Sequence, residues 1–458
     1  MKHARLLLPI LAALCAQLWP PPALAAGMST HALMAEYGRR HLPDEHPLKA
    51  VLTAHRAALL AGAMYPDGGY FTGSGFPSDR HLAENAHWEY FVNPLIQTLH
   101  DRGCIAGANL DIPNFGGTLA YASTSTENLA PLADTRYDDS CGSMIAYTLG
   151  IAAHGLGDEV WDALFEPQVR ERGEHAESSP AFTLDSFPPG AEPSVGDALR
   201  AVIGDEAFDR LAEAFSAASL NSIEYSMDVI AIREQNLWAD VPYLTFPPAE
   251  VLIEAYQRAD RGDGVDEFAV QRAALGTRTL VLAERLGAAL EFDRVKQQMP
   301  WASGHYFTGS GGVLHTGKMI AGYYLHLWDK LQDGVVEARG PLVVGVHPDP
   351  GERGVPIHYS ADRWVRVFLS GAAPRQHFEN VAGNLVLFDQ NGNIVPADIS
   401  QAQNLYKGDD SAHGIGITVQ GDLQPDQEYT AILTTRAIDA RGKNVLEPLI
   451  WSFRTAAE

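Results

Sequence analysis

The sequence predicts a multidomain protein, an all-α helical bundle followed by a small all-β sandwich. Three observations carry that expectation. Apolar residues recur at three- and four-residue spacings from Ser29 to about Leu331, the period of helices packed on one face. After Gly334 the pattern changes to short apolar or alternating runs separated by turn formers. Ahead of both stands an amino-terminal stretch with the marks of an export signal.

That stretch comes first in the chain. Lys2 and Arg5 precede an apolar run from Leu6 to Leu18, and Pro20-Pro-Pro leads to Ala23-Leu-Ala25. A basic start, a short apolar run and small residues at the end predict a signal peptide over 1–25. The mature chain would begin near Ala26 and be secreted, to the periplasm or the outside of the cell. The run is shorter than the ~20 apolar residues of a spanning helix, and no later stretch approaches that length.

Helices are expected over Thr30–Gly38, Pro47–Ala63, Trp88–Arg102, Ser143–Leu156, Pro248–Arg261, Glu267–Leu290 and Lys318–Leu331. Gly/Pro/Ser/Asp-rich stretches separate them, notably Asp67–Asp79, Asn109–Asp139 and Glu166–Gly190. The last is poor in apolar residues and reads as a long exposed loop. Strands are expected at Val343–His347, Trp364–Leu369, Leu385–Phe388, Gly414–Val419, Tyr429–Thr434 and Trp451–Thr455. Turn formers such as Asp389–Asn393 and Asp439–Lys443 fall between them. The boundary is placed near Val335–Pro341, giving a helical domain over 26–335 and a sandwich over 341–458.

Charge narrows the functional classes. Lys and Arg total 33 against 57 Asp and Glu, a formal charge of −24. Removal of residues 1–25 takes away two positive charges and no acidic ones, moving −24 to −26. Such a surface repels phosphate backbones, so no stable nucleic-acid partner is expected. A phosphodiester substrate remains open, because bound cations invert the local field. Of three cysteines, Cys15 would leave with the signal. Cys104 and Cys141 form an even pair in an exported chain and are expected to make a disulfide. Closing a loop of about 36 residues is worth ~3–4 kcal/mol in the loop-entropy picture.

The chemistry-bearing residues follow a pattern. His154 and Asp158 stand four apart on an expected helix, one turn above each other on one face, where an imidazole and a carboxylate can bind one cation or bridge two. Alone the pair is weak evidence in a chain with 17 histidines. Its company strengthens it: His31 in Ser29-Thr-His, Asp67 ending Tyr65-Pro-Asp, His87 before Trp88, then Asp162 and Glu224. Asp228 reads as a supporting residue rather than a ligand. A Ser-His-Asp hydrolase is unsupported, as no Gly-x-Ser-x-Gly elbow appears in a strand–turn–helix setting.

On these residues the chain resembles the zinc-dependent phospholipase C family. The likeness is greatest to the branch forming the amino-terminal domain of glycosylphosphatidylinositol-specific phospholipase D. It rests on the Ser-Thr-His start, on Tyr65-Pro-Asp67, and on His87-Trp88 followed by Phe91-Val-Asn. The stretch Tyr147–Trp161, with His154 and Asp158, carries the rest. The resemblance implies a helical bundle in which Asp67, His87, His154 and Asp158 share one zinc. Asp158 would reach a second zinc, held also by His31 and the freed amino terminus. It departs from the family at a third position. Asp162 stands where the family has a histidine, and Leu220 stands where another should precede Glu224. Two carboxylates without imidazole would suit Ca²⁺ or Mg²⁺ there, or leave the position empty. The closing domain resembles bacterial immunoglobulin-like modules through Leu423–Thr430, Asp439–Asn444 and Trp451–Thr455, with Tyr429 and Trp451 as core residues.

The expected function is therefore a secreted zinc-dependent phosphodiesterase, a phospholipase of C or D type. Its substrate would be a phospholipid or phosphodiester, met in peripheral contact with a lipid surface. Asp67 is the expected catalytic base, one oxygen on metal while the other accepts the proton of water. Two alternatives stand beside it: a catalytically degenerate lipid- or glycan-binding module, and a zinc nuclease with the same ligand pattern.

Overall fold

Between Cys141 and Val160 the chain offers no polar face, and its only charged residues are Asp158 and Glu159. A helix apolar on all sides has to be surrounded. In the computed structural model it is: every residue from Gly142 to Val160 is buried. The structure describes residues 27–69, 80–105, 136–174, 223–237, 244–358, 365–374, 384–401 and 411–457. The expected signal peptide, Ala26 and Leu220 lie outside them.

The helical part runs α1 (Met28–His41), α2 (Pro47–Ala54), α3 (Arg56–Gly68), α4 (Arg80–Ala86) and α5 (Glu89–Asp101). After β1 (Arg136–Tyr137) come α6 (Cys141–Val160), a π-helical turn (Trp161–Phe165), α7 (Glu166–Glu171) and α8 (Ile223–Glu234). Then follow β2 (Thr245–Phe246), α9 (Ala249–Arg258), α10 (Glu267–Gln298), α11 (Pro300–His305) and α12 (Val313–Asp333). Helices α1, α3, α5 and α12 pack around α6. At Gly150 a side chain would lie 2.2 Å from the carbonyl of Leu59, so glycine is what lets α3 and α6 come this close.

The start of α6 is fixed twice. Ser140 caps it by accepting the N–H of Ser143 at 3.4 Å. The expected disulfide joins Cys141, its first residue, to Cys104 beyond the end of α5.

Strands β3 (Val343–His347) to β10 (Leu449–Thr455) form two four-stranded sheets. They include β4 (Arg353–Val355), β5 (Val365–Pro374), β6 (Leu385–Phe388), β7 (Ala397–Gln401), β8 (Ser411–Val419) and β9 (Glu428–Leu433). The orders are β4-β10-β9-β6 and β3-β5-β8-β7, antiparallel except for β4 against β10. Val365, Val367, Ile415 and Ile417 of one sheet share a core with Tyr429, Ala431, Trp451 and Phe453 of the other. The fold class is thus a helical bundle followed by a β-sandwich, and Tyr429 and Trp451 are core residues.

Three expectations need correction, and four short elements were not foreseen. The helix expected over Pro47–Ala63 breaks at His55 and restarts at Arg56. The part described as all-α contains a two-residue parallel pair, Arg136 with Thr245 and Tyr137 with Phe246. The stretch expected to be an exposed loop from Glu166 begins as a helix, with Val169 fully buried and Glu166 paired to Arg170 one turn on. Its polar average concealed that short amphipathic start. Strands β4 and β7 and helices α4 and α11, each of seven residues or fewer, fall below what periodicity resolves.

Candidate metal centre

Five of the expected ligands come from four segments and meet beside α6. His31 lies on α1, Asp67 in the last turn of α3, His87 in the turn between α4 and α5, and His154 and Asp158 on α6. Their relative exposures are 0, 3, 4, 0 and 2%. His31 Nε2 is 3.0 Å from Asp158 Oδ1, while His154 Nε2 and His87 Nε2 lie 3.4 and 3.7 Å from Asp158 Oδ2. On the other side, Asp67 Oδ1 is 3.5 Å from His87 Nε2 and 3.7 Å from His154 Nε2. The rings of His31 and His154 stack with centroids 3.7 Å apart, and those of His87 and His154 meet edge to face at 4.6 Å.

The donors fit the cation that the resemblance implies. Four ligand atoms at roughly 2.1 Å around a tetrahedral zinc lie about 3.4 Å from one another. The separations here bracket that value. His31, Asp67 and His154 form one compact donor group, and His87, His154 and Asp158 form another. Asp67 Oδ1, His154 Nε2 and both oxygens of Asp158 are buried without a hydrogen bond of good geometry. Burying such atoms with no partner is costly, and a cation would remove the cost.

The surroundings aim the imidazoles inward. Nδ1 of His87 meets the carbonyl of Ala83 at 2.8 Å, and Nδ1 of His154 meets that of Ala63 at 2.8 Å. Both leave Nε2 for the centre, the arrangement common to metal-bound histidine. His87 approaches α6 at Gly155, where a side chain would sit 1.9 Å from its carbonyl oxygen. Helix α1 is placed by Asp228, which accepts the N–H and hydroxyl of Thr30 at 2.7 and 2.6 Å. Glu284 accepts from Ser29 Oγ at 2.6 Å. Asp228 is thus a support for the segment carrying His31, as expected. Glu284 was not singled out, since nothing local marks an acid inside a 32-residue helix.

Burial and charge act in opposite senses on the groups of this centre. Burial lowers the affinity of His87 for a proton, but Asp67 and Asp158 outweigh it and hold the ring's pKa up to about 9. Burial and the charge of His31 push His154 down. Despite its burial, Asp158 is kept well below the usual carboxylate range by His31 and His154.

Asp162 and Glu224 fall outside both compact donor groups, and what links them is charge. Asp162 follows Asp158 by one turn, at the π-helical turn, where the N–H of Glu166 reaches back to the carbonyl of Trp161. Pro167 has no N–H to continue the ladder, which suits a widened turn at this place. Burial and the charges of Asp158, Glu166 and Glu224 push Asp162 well above its ordinary pKa, with Arg170 opposing. Glu224, in the first turn of α8, is buried beside it. Glu166 was missed by sequence reasoning, although His154, Asp158, Asp162 and Glu166 recur at four-residue steps that were there to be read. Trp88 and Trp161, beside the proposed ligands, are buried core residues.

Comparison with known proteins bears on the same segment. Residues 30–161 match the family model of zinc dependent phospholipase C. The match covers under a third of the chain and contains His31, Asp67, His87, His154 and Asp158. The segment similar to zinc dependent phospholipase C thus contains every residue of the two His/Asp groups that could hold a metal ion. No curated protein matches the chain. Among solved structures, surface layer protein SbsC, domains 1–6, is similar at 13% identity over 66% of this chain and 46% of that one, with a TM-score of 0.20. The N-terminal part of the bacterial S-layer protein SbsC is similar at 11% identity over 63% of this chain and 77% of that one, with a TM-score of 0.19. Scores this low carry no argument. The chain spans less than half of the longer of these two structures.

Proposed function

We propose that this chain is an exported metal-dependent phosphodiesterase, a phospholipase of C or D type that hydrolyses the headgroup ester of a phospholipid. The observation that carries this reading is the convergence of His31, Asp67, His87, His154 and Asp158, with donor separations of 3.0 to 3.7 Å. The Cys104–Cys141 disulfide agrees with export. No described helix is long and apolar enough to cross a membrane.

In this reading the two oxygens of Asp158 face different imidazoles, His31 on one side and His87 and His154 on the other, so Asp158 would serve as a ligand towards both sides. What zinc supplies when bound is a water acidified towards neutral pH and positive charge beside the phosphate. Asp67 would orient water at the centre and take up its proton. His87 and His154, pinned through Nδ1, keep the geometry fixed. Asp162, under the charges of Glu166 and Glu224, would keep a proton or take a harder cation. The sandwich is taken as an immunoglobulin-like module, with the division between the domains at 335–341.

The test is turnover. The zinc-loaded chain is expected to release headgroup or phosphorylated headgroup from vesicles of phosphatidylcholine or phosphatidylinositol, and Asp67→Asn to lose that release at least 100-fold. Binding to the vesicles without turnover would favour the degenerate module, which the imidazole-free group at Asp162 supports. Turnover of DNA alone would favour the nuclease.

A further inference from the structure

Two segments that bear proposed ligands are braced by carboxylates next to them in sequence, and both carboxylates reach into the sandwich. Glu159 follows Asp158, and its Oε2 accepts the backbone N–H of Gly414, in β8, at 2.9 Å. Glu89 stands two residues after His87 and accepts the backbone N–H of Ala372, in β5. Glu89 also pairs with Lys330 of α12, which donates to Asn93 Oδ1 at 3.0 Å. Glu89, Glu159 and Lys330 are 5, 5 and 0% exposed. The seam is closed by Tyr323 on His413, with ring centroids 4.7 Å apart, while His413 Nδ1 meets the carbonyl of Leu369 at 2.8 Å.

The strands are irregular where they supply these donors. Pairing of β5 with β8 shifts register between Phe368 and Ala373, and Ala372 lies inside that break. A break in register releases backbone groups from the ladder and re-aims them. A buried carboxylate needs such donors, because leaving its oxygens without partners costs several kcal/mol.

We propose that Glu89 and Glu159 are positioning residues that anchor the turn bearing His87 and the helical turn bearing Asp158 to the β-sandwich, making the sandwich a structural part of the metal centre rather than a spacer. This rests on the reading of His87 and Asp158 as ligands. A ligand pair joined to two strand backbones has less freedom to relax, so the metal affinity depends on a domain that contributes no ligand.

The test uses the full chain and zinc alone. Zinc affinity is measured by competition with a chromophoric chelator, and the visible spectrum of the Co²⁺-substituted protein reports ligand geometry. Glu159→Ala is expected to weaken zinc affinity 10- to 100-fold and alter the Co²⁺ spectrum. Glu159→Gln, whose amide oxygen still accepts from Gly414, should restore both. Glu159→Asp, one carbon short, should resemble the alanine variant and carries the test if that variant does not fold. Wild-type affinity and spectrum in a folded Glu159→Ala or Glu159→Asp overturn the proposal. So does a Gln variant as impaired as the Asp one, since the contact with Gly414 would then not be what matters. Zinc binding by the wild type, abolished in His154→Ala, establishes the ligand reading separately; if the wild type takes up no zinc, that reading fails first and this one falls with it.

Discussion

The two sides of Asp158 make different use of one ladder. Towards the amino end of α6, His154 and Asp158 face His31, His87 and Asp67, a set in which imidazoles and carboxylates offset each other. Towards the carboxyl end, Asp162 feels the charges of Glu166 and Glu224, with Arg170 as counter-charge. The spacing is the same on both sides. The donors of the first side suit a borderline-soft cation, whereas the second side carries surplus negative charge, which a proton or a hard cation would offset. Four-residue spacing therefore identifies a metal-competent face, and the donor types decide what it holds.

The largest expected effect removes the residue common to both compact donor groups of the first side. His154→Ala should lose bound zinc and lower thermal stability by about 4 kcal/mol where free zinc exceeds Kd a thousandfold. Elemental analysis and calorimetry read the two quantities, and unchanged zinc content breaks the comparison at once.

Anchoring of the shared helix should behave differently. Replacing Cys104 and Cys141 together by serine should cost ~3–4 kcal/mol in denaturant unfolding and leave zinc content unchanged. A loss of zinc would mean that the ladder's placement depends on the disulfide.

A third effect contrasts two buried carboxylates through pH. Burial would raise Glu36, but hydrogen bonding by Arg39 and the charges of Arg56 and Arg39 lower it to about 2. A depressed pKa contributes stability that is present above 4.5 and lost as pH falls towards about 2. Glu36→Gln should flatten that acid limb by roughly 2–3 kcal/mol. Asp162 is raised, so in the metal-free chain its contribution is present below 3.8 and lost as pH rises through its elevated value. An unaltered acid limb in Glu36→Gln would show that Arg39 and Arg56 do not hold the carboxylate as the geometry indicates.

The smallest effect belongs to the second side. Asp162→Asn relieves like-charge repulsion, so the metal-free protein should gain about 1 kcal/mol at pH 8 and keep its zinc. Any stabilisation by Ca²⁺ should disappear. Loss of zinc instead would place Asp162 in the first group.

Much of this was legible in the sequence because it is periodic or paired. Apolar spacing pointed to a helix over Ser143–Leu156, which the structure extends to Cys141–Val160, and the even cysteine pair pointed to the disulfide. His31, Asp67 and His87 were singled out by their neighbours in the chain and brought together by the fold. What escaped was set by long-range contacts. Glu89 and Glu159 look like surface acids until β5 and β8 cover them. Glu284 acquires a role only because α10 passes the start of α1. Glu166 was hidden by the polar stretch after it.

The central claim is that separate segments of this chain assemble zinc ligands, and the direct measurement is zinc per chain in purified protein after loading and exhaustive dialysis. The account predicts two tightly held ions in the wild type, and loss of zinc in Asp67→Ala and in His87→Ala. A wild-type chain that retains none, or variants that retain the wild-type amount, would contradict it.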